Sequence, residues 1–290
     1  MNLKQINNLT ELFSDQFNKQ INKDKILLST LGVKRKNYSW QETHDFINLI
    51  SNELRKVISK GDRCLLVSEN RPEWLITDLA IMLSDGITVP TYTTYAEKDY
   101  DYILNDCTPS IIFVSNNEQF NKLKNIIKDK KFIKKIFSFE KLDNAETNNI
   151  NFEDLIQNNN VKNSLIHKSS ALRKDPSCII YTSGTQGNPK GVILSHGGIL
   201  NNCESAIDIL KPLLSKERPR FLTWLPLSHS YEHTVQFVQI TVAARIFYAE
   251  SIDKLVKNMG DCSPEIMTAV PRFYQNLYQK INASFKNLKD

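Results

Sequence analysis

Helical and extended apolar periodicities alternate from one end of the chain to the other, and few folds accept such a pattern. Ser39-Trp-Gln-Glu42 spells a capping box. It opens a helix whose apolar positions Phe46, Ile47, Ile50, Leu54, Val57 and Ile58 share one face, with Gly61 as a left-handed stop. Arg63 to Val67 reads as a buried strand. Pro72, tolerated in a first turn where no N–H is needed, precedes a second helix from Glu73 to Leu83. Short apolar strands at 86–89 and 110–114 flank a helical stretch from Glu97 to Asn105. Beyond residue 178 the spacing predicts strands near 178–182, 190–194, 221–224, 244–248 and 265–269, and helices near 198–210, 230–242, 251–259 and 271–288. The expectation is an α/β fold with mostly parallel sheets, in two subdomains at 1–175 and 176–290. The polar, asparagine-rich stretch from about 140 to 175 reads as a surface excursion between them.

Composition removes other classes. At 41% hydrophobic and 24% charged, the 290 residues are neither disordered, collagen-like nor membrane-spanning. The start, Met1-Asn2-Leu3-Lys4-Gln5-Ile6, has no long apolar region of a signal peptide, which predicts a cytoplasmic protein. Five widely separated cysteines with no C-x-x-C pair predict reduced, mostly buried thiols and no zinc site. The net charge is +5, from 37 basic and 32 acidic residues, and most of the local excess lies in the run from Lys122 to Lys135. Two readings of that run stand. It is a patch for nucleic acid or an anionic membrane, or it is a solvated helix followed by a strand, with Leu123, Ile126, Ile127 and Ile133 facing inward. The single aromatic in it, Phe132, argues against single-stranded nucleic acid as a partner.

Glycine is scarce, nine in all, yet Gly184, Gly187, Gly191, Gly197 and Gly198 fall within fifteen residues. They punctuate Cys178-Ile-Ile-Tyr-Thr-Ser-Gly-Thr-Gln-Gly-Asn-Pro-Lys-Gly-Val-Ile-Leu-Ser195, a strand, a hydroxyl-rich loop and a second strand. Such a loop suits polyphosphate: glycines let backbone N–H groups approach an anion, Thr182, Ser183 and Thr185 add hydroxyls, and Lys190 adds a compact charge. The spacing is neither a Walker A loop nor a dinucleotide fingerprint. A β-hairpin with a Gly-rich turn would account for the composition without any ligand.

Tyr181-Thr-Ser-Gly-Thr-Gln-Gly-Asn-Pro-Lys-Gly191 resembles the AMP-binding signature of the adenylate-forming superfamily. Phe221-Leu-Thr-Trp-Leu-Pro-Leu-Ser-His229 resembles the next motif of that family. Tyr248-Ala-Glu-Ser-Ile-Asp253, Met267-Thr-Ala-Val-Pro-Arg272, Gly86-Ile-Thr-Val-Pro90 and Tyr102-Ile-Leu-Asn-Asp106 are most similar to its long-chain fatty acyl-CoA synthetase branch. The resemblance implies activation of a fatty acid with ATP and Mg2+ through an acyl-adenylate, then transfer to coenzyme A. It implies that Thr182, Ser183, Gly184, Thr185, Gln186, Gly187 and Lys190 hold the phosphates, Thr185 also lying near the magnesium. His229, by the same likeness, stands beside the carboxylate and acyl pocket, as a catalytic residue with Lys190. As a bare sequence feature His229 also reads as a cap on the helix that follows, a role that Ser228 would serve equally well.

Gln186 stands where the family usually has threonine, keeping a donor on a longer side chain. The family's adenine, ribose and adenylation-lysine motifs do not occur before Asp290, so the resemblance implies a large N-terminal domain without its C-terminal part and small mobile domain. Alternatives follow: half of a split enzyme with a C-terminal partner fragment, a non-catalytic nucleotide-binding remnant, or a ligase for another carboxylic acid. Peripheral contact with the inner membrane face is a further expectation. An open strand edge near 265–269 and an apolar face of Phe273, Leu277 and Ile281 on the last helix predict a homodimer or aggregation.

Overall fold

The computed structural model describes residues 2–33, 35–143, 149–158, 166–182, 189–214 and 218–286. Helix α1 (Leu9–Lys19) leads into β1 (Ile26–Thr30), β2 (Asn37–Ser39) and α2 (Trp40–Leu54). The capping box is present: the Glu42 N–H donates to Ser39 Oγ at 3.1 Å, and the Ser39 N–H donates to the Glu42 carboxylate at 2.8 Å. The helix ends at Leu54, earlier than the periodicity suggests. Gly61, at φ +85°, turns the chain some residues later, where its N–H donates to Asp85 O.

Three β-α crossovers follow: β3 (Arg63–Val67), α3 (Pro72–Leu83), β4 (Ile87–Thr91), α4 (Glu97–Cys107), β5 (Ile111–Val114), α5 (Asn117–Leu123) and β6 (Lys135–Ser138). The expected surface excursion instead adds β7 (Asn149–Asn151) and α6 (Phe152–Asn158). Phe152 is buried against Phe113 and Phe139, which explains why this polar stretch is held to the fold. Then come β8 (Pro176–Thr182), β9 (Lys190–Ser195), α7 (His196–Leu210), β10 (Arg220–Thr223), α8 (Ser230–Thr241), β11 (Arg245–Tyr248), α9 (Leu255–Cys262), β12 (Ile266–Met267) and α10 (Pro271–Lys286).

The strands form two sheets, in the orders β7-β6-β5-β3-β4-β8-β9 and β12-β10-β11-β1-β2. Among the described residues, only the β8–β9 and β1–β2 pairs are antiparallel. The sheets do not divide at residue 175/176. β8 and β9 complete the sheet of the first half, and β1 and β2 join the sheet of the second, Leu28 lying opposite Ile246.

Alternating side chains on each strand feed different cores. Leu66 and Phe113 face a large apolar cluster shared with α1, α2, α3, α7, α8 and the inner face of the five-stranded sheet. Leu65, Val67 and Ile112 face a second cluster under α4 and α5, and Leu222 and Phe247 face a third under α9. The result is five layers, helices outside and between two sheets. All five cysteines are buried and free. Strand β12 is an edge of its sheet, as expected, but Phe273 is turned against Trp224 at 5.1 Å. Among the described side chains of α10, the large exposed apolar ones are Tyr274 and Tyr278; the Ile281 side chain lies outside them.

Candidate active site

Parallel strands place their carboxyl ends on one edge of a sheet, and open α/β sheets carry ligands there. Strand β8 runs parallel to β4, so Thr182 emerges on the same edge as Thr91 and Val67. It pairs across the hairpin with Lys190, which fixes both ends of the Gly-rich loop on neighbouring antiparallel strands. Ser183, Gly184, Thr185, Gln186 and Gly187 lie outside the described residues; Thr182 and Lys190 are both exposed.

The root of the loop is held firmly. The Tyr181 hydroxyl donates to the Asp106 carboxylate of α4, and the Tyr95 hydroxyl donates to Tyr181 O at 3.4 Å. Burial and then Asp106 push the Tyr181 phenol well above its ordinary range, so it stays a donor. Gly191 lets this happen: a Cβ there would meet Ile179 Cγ2 at 2.9 Å and the Tyr181 ring at 3.2 Å. Gly197 and Gly198 belong to the first turn of α7, where the Gly197 N–H donates to Arg173 O at 2.7 Å. Gly191 and Gly197 are therefore each accounted for by close packing, while Gly184 and Gly187 lie outside the described residues.

His229 comes from the other sheet. The segment after β10 is gripped by Asn70, whose amide donates to Leu225 O at 2.7 Å and accepts from the Leu227 N–H at 3.1 Å. Asn70 follows β3, so the two sheets meet at this point. His229 is exposed and is itself the N-cap of α8, Nδ1 accepting from the Tyr231 N–H at 3.2 Å; Ser228 does not serve. An accepting Nδ1 assigns the proton to Nε2, which leaves that N–H as a donor.

Behind His229, four of the buried polar side chains of α8 each reach a partner on a different segment. Glu232 accepts from the Thr268 hydroxyl at 2.7 Å, His233 meets Asp78 of α3 at 2.8 Å, Gln236 donates to the Tyr248 hydroxyl, and Gln239 donates to the Thr223 hydroxyl at 3.0 Å. Burial lifts the Glu232 carboxyl to about 7, against the Thr268 bond. For His233, burial alone favours the neutral ring, but the Asp78 charge and bond, with Cys178 beside it, outweigh that and hold its pKa at about 10. The sequence reading missed Asp106, Asn70, Asp78, Glu232 and His233. Asp106 was within reach, since it closes the Tyr102–Asp106 motif.

Between α7, α8, β10 and β12 lies a groove of about 630 Å³, floored by Ile199, Phe221, Val238 and Ile266 and reaching Leu194 of β9. Ser230 and Tyr231, the residues after His229, form part of its wall. Lys190 and His229 thus belong to elements that border one apolar groove. Among the described residues no group of three or more His, Cys, Asp or Glu side chains gathers, and Thr185 lies outside them, so no residue here is seen as a ligand for Mg2+. No helix among the described residues is long and apolar enough to cross a membrane.

Residues 14–290 match the family described as AMP-binding enzyme. Among curated proteins, the chain is 28% identical over 254 residues to long chain acyl-CoA synthetase 3 of Arabidopsis thaliana, covering 83% of this chain and 38% of that protein. It is 29% identical over 265 residues to fatty acyl-CoA synthetase A of Dictyostelium discoideum, covering 86% and 38%. The chain therefore spans about two fifths of the length of such relatives. Among solved structures, a long-chain-fatty-acid-CoA ligase of Archaeoglobus fulgidus superposes with a TM-score of 0.79 at 18% identity, covering 96% of this chain and 54% of that one. ATP-bound MatB of Rhodopseudomonas palustris superposes with a TM-score of 0.73 at 22% identity, covering 94% and 51%. At these identities the superpositions establish the shared fold.

Proposed function

Given that the chain belongs to the AMP-binding enzyme family, we propose that it supplies the phosphate loop and acyl groove of an AMP-forming acid:thiol ligase acting on long-chain fatty acids. The observation that carries the reading is the apolar groove bordered by the strand of Lys190 and the helix capped by His229. A hydrocarbon chain is buried along Phe221, Val238 and Ile266, and its carboxylate is directed to the mouth, where His229 Nε2–H is a donor. ATP enters over the loop from Thr182 to Lys190, with Ser183, Gly184, Thr185, Gln186 and Gly187 as phosphate donors. As the carboxylate attacks the α-phosphorus, charge moves onto the departing pyrophosphate. Fixed backbone donors and the Lys190 ammonium stabilise that charge most where it develops. Magnesium would neutralise phosphate charge near Thr185, and coenzyme A would accept the acyl group. The long-chain assignment draws on the curated relatives as well as on the groove.

Exchange of labelled pyrophosphate into ATP, driven by long-chain fatty acids, tests the reading. It is measured with the chain alone and with the remaining length of a long-chain relative supplied in trans. Exchange that never appears with the complement, for any carboxylic acid, refutes a ligase; exchange with short or aryl acids alone reassigns the substrate. Lys190→Ala is expected to weaken ATP binding by about ten- to a hundredfold, the weight of one charge-assisted contact, without lowering the melting temperature. Unchanged affinity by calorimetry would remove the loop from the site.

A further inference from the structure

The run from Lys122 to Lys135 carries seven lysines and one carboxylate, Asp129, a local +6 in a chain whose total is +5. The rest of the molecule is close to neutral. The expected helix stops at Leu123, and the chain continues as successive turns: the Ile126 and Ile127 N–H groups both donate to Leu123 O, Lys130 to Ile127 O, and Ile133 to Lys130 O. A continued helix would spread the lysines around a cylinder. The turns gather six of the seven around one open groove of about 540 Å³ instead, Lys122 being paired with Glu118 at 3.1 Å.

Two of the cations are tied back, Lys130 to Asp101 at 2.8 Å and Lys134 to Asp62 at 3.6 Å. Lys124, Lys128, Lys131 and Lys135 line the same groove with no ion-pair partner among the described residues. Among the described residues no carboxylate lines it. Its floor is apolar, made by Phe120, Ile127, Ile133 and Ile136, which rest on the core under α4 and α5.

A cationic rim over an apolar floor complements a ligand that is anionic at one end and apolar just below. We propose that this groove docks the protein on the anionic phospholipid headgroups of a bilayer surface. Nucleic acid is the poorer fit, because the groove presents no row of aromatic faces for bases to stack on. The groove opens at the amino ends of the strands, where Lys135 begins β6 beside Ile111, the first residue of β5. Lys190 and the His229 segment lie beyond the carboxyl ends, so the docking residues are separate from the candidate active site.

Vesicle co-sedimentation of the 290-residue chain tests this, using phosphatidylcholine alone and phosphatidylcholine with about one third phosphatidylglycerol. Binding to the anionic vesicles only is expected, lost at about 1 M salt, where the screening length falls to about 3 Å. Replacing Lys124, Lys128, Lys131 and Lys135 together by glutamine is expected to weaken partitioning about fivefold per lysine, several hundredfold in all. The melting temperature stays unchanged, because these side chains are outside the core. The four Lys→Arg replacements retain binding. Equal partitioning of the glutamine variant, or equal binding to pure phosphatidylcholine, overturns the proposal. So does displacement by inorganic phosphate, which assigns the groove to a small anion, or tighter binding to a single-stranded oligonucleotide than to vesicles.

Discussion

Helices α3 and α8 have twelve residues each and pack in the same central layer, yet they are held by different forces. Every residue of α3 is buried, and Trp74, Leu75, Ile76, Leu79, Ile81 and Met82 hold it by contact area. Helix α8 buries Glu232, His233, Gln236 and Gln239 and is fixed by four directional bonds, to α3, β10, β11 and the connection after β12. Area burial is tolerant of small shifts; a hydrogen bond is not. The apolar helix establishes the core, and the polar one sets the register of the segment that carries His229. Two oxygens on that polar face, Glu232 Oε1 and Gln236 Oε1, have no partner among the described residues, so the register is bought at some cost in stability.

The contrast is broken most strongly at the contact between the two helices. Asp78→Ala leaves the His233 imidazolium buried without its partner and is expected to cost about 3–5 kcal/mol, read from the urea midpoint. Replacing both Asp78 and His233 by leucine is expected to recover most of that loss while speeding amide exchange around Leu225 to His229. Leu79→Ala, on the apolar helix, is expected to cost about 2–5 kcal/mol by leaving a cavity, with no change in exchange near His229. If the leucine pair left exchange near His229 as slow as in the parent, the register argument would fail.

The pH dependence sharpens the same point. The Glu232 pKa is raised in the folded state, so its neutral form favours folding below the ordinary carboxyl range, and that contribution is lost as pH rises toward about 7. Glu232→Gln is expected to flatten that slope, worth on the order of 3 kcal/mol. The His233 pKa is raised as well; its contribution is complete below the ordinary imidazole range and is lost as pH climbs through about 10. Calorimetric melting temperatures between pH 4 and 10 check both signs. The smallest effect is expected at Gln239→Leu, about 1 kcal/mol for one buried bond to Thr223.

The same two helices show what a sequence exposes. The apolar run of α3 and the capping box of α2 were legible because hydrophobic spacing and local chemistry are written in adjacent residues. Glu232, His233, Gln236 and Gln239 were not, because polar residues at helical spacing read as a solvated face; partners as distant as Asp78 and Thr268 make them interior. Strands β1 and β2 escaped notice for a related reason, being short and paired with β11 far along the chain. The glycine cluster was visible in its composition. That Gly191 is a strand position pressed on Tyr181, and that Gly197 and Gly198 open α7, was not.

The exchange of strands between the two sheets has a consequence during synthesis. Leu28 is made early, but its partner Ile246 leaves the ribosome roughly 220 residues later, which at about 5–20 residues per second is about 10 to 45 s. Through that interval Ile26–Thr30 is an apolar ribbon without a neighbour on the β11 side. The five-stranded sheet can therefore be completed only after β11 and β12 have been made, whereas the last strand of the seven-stranded sheet ends at Ser195.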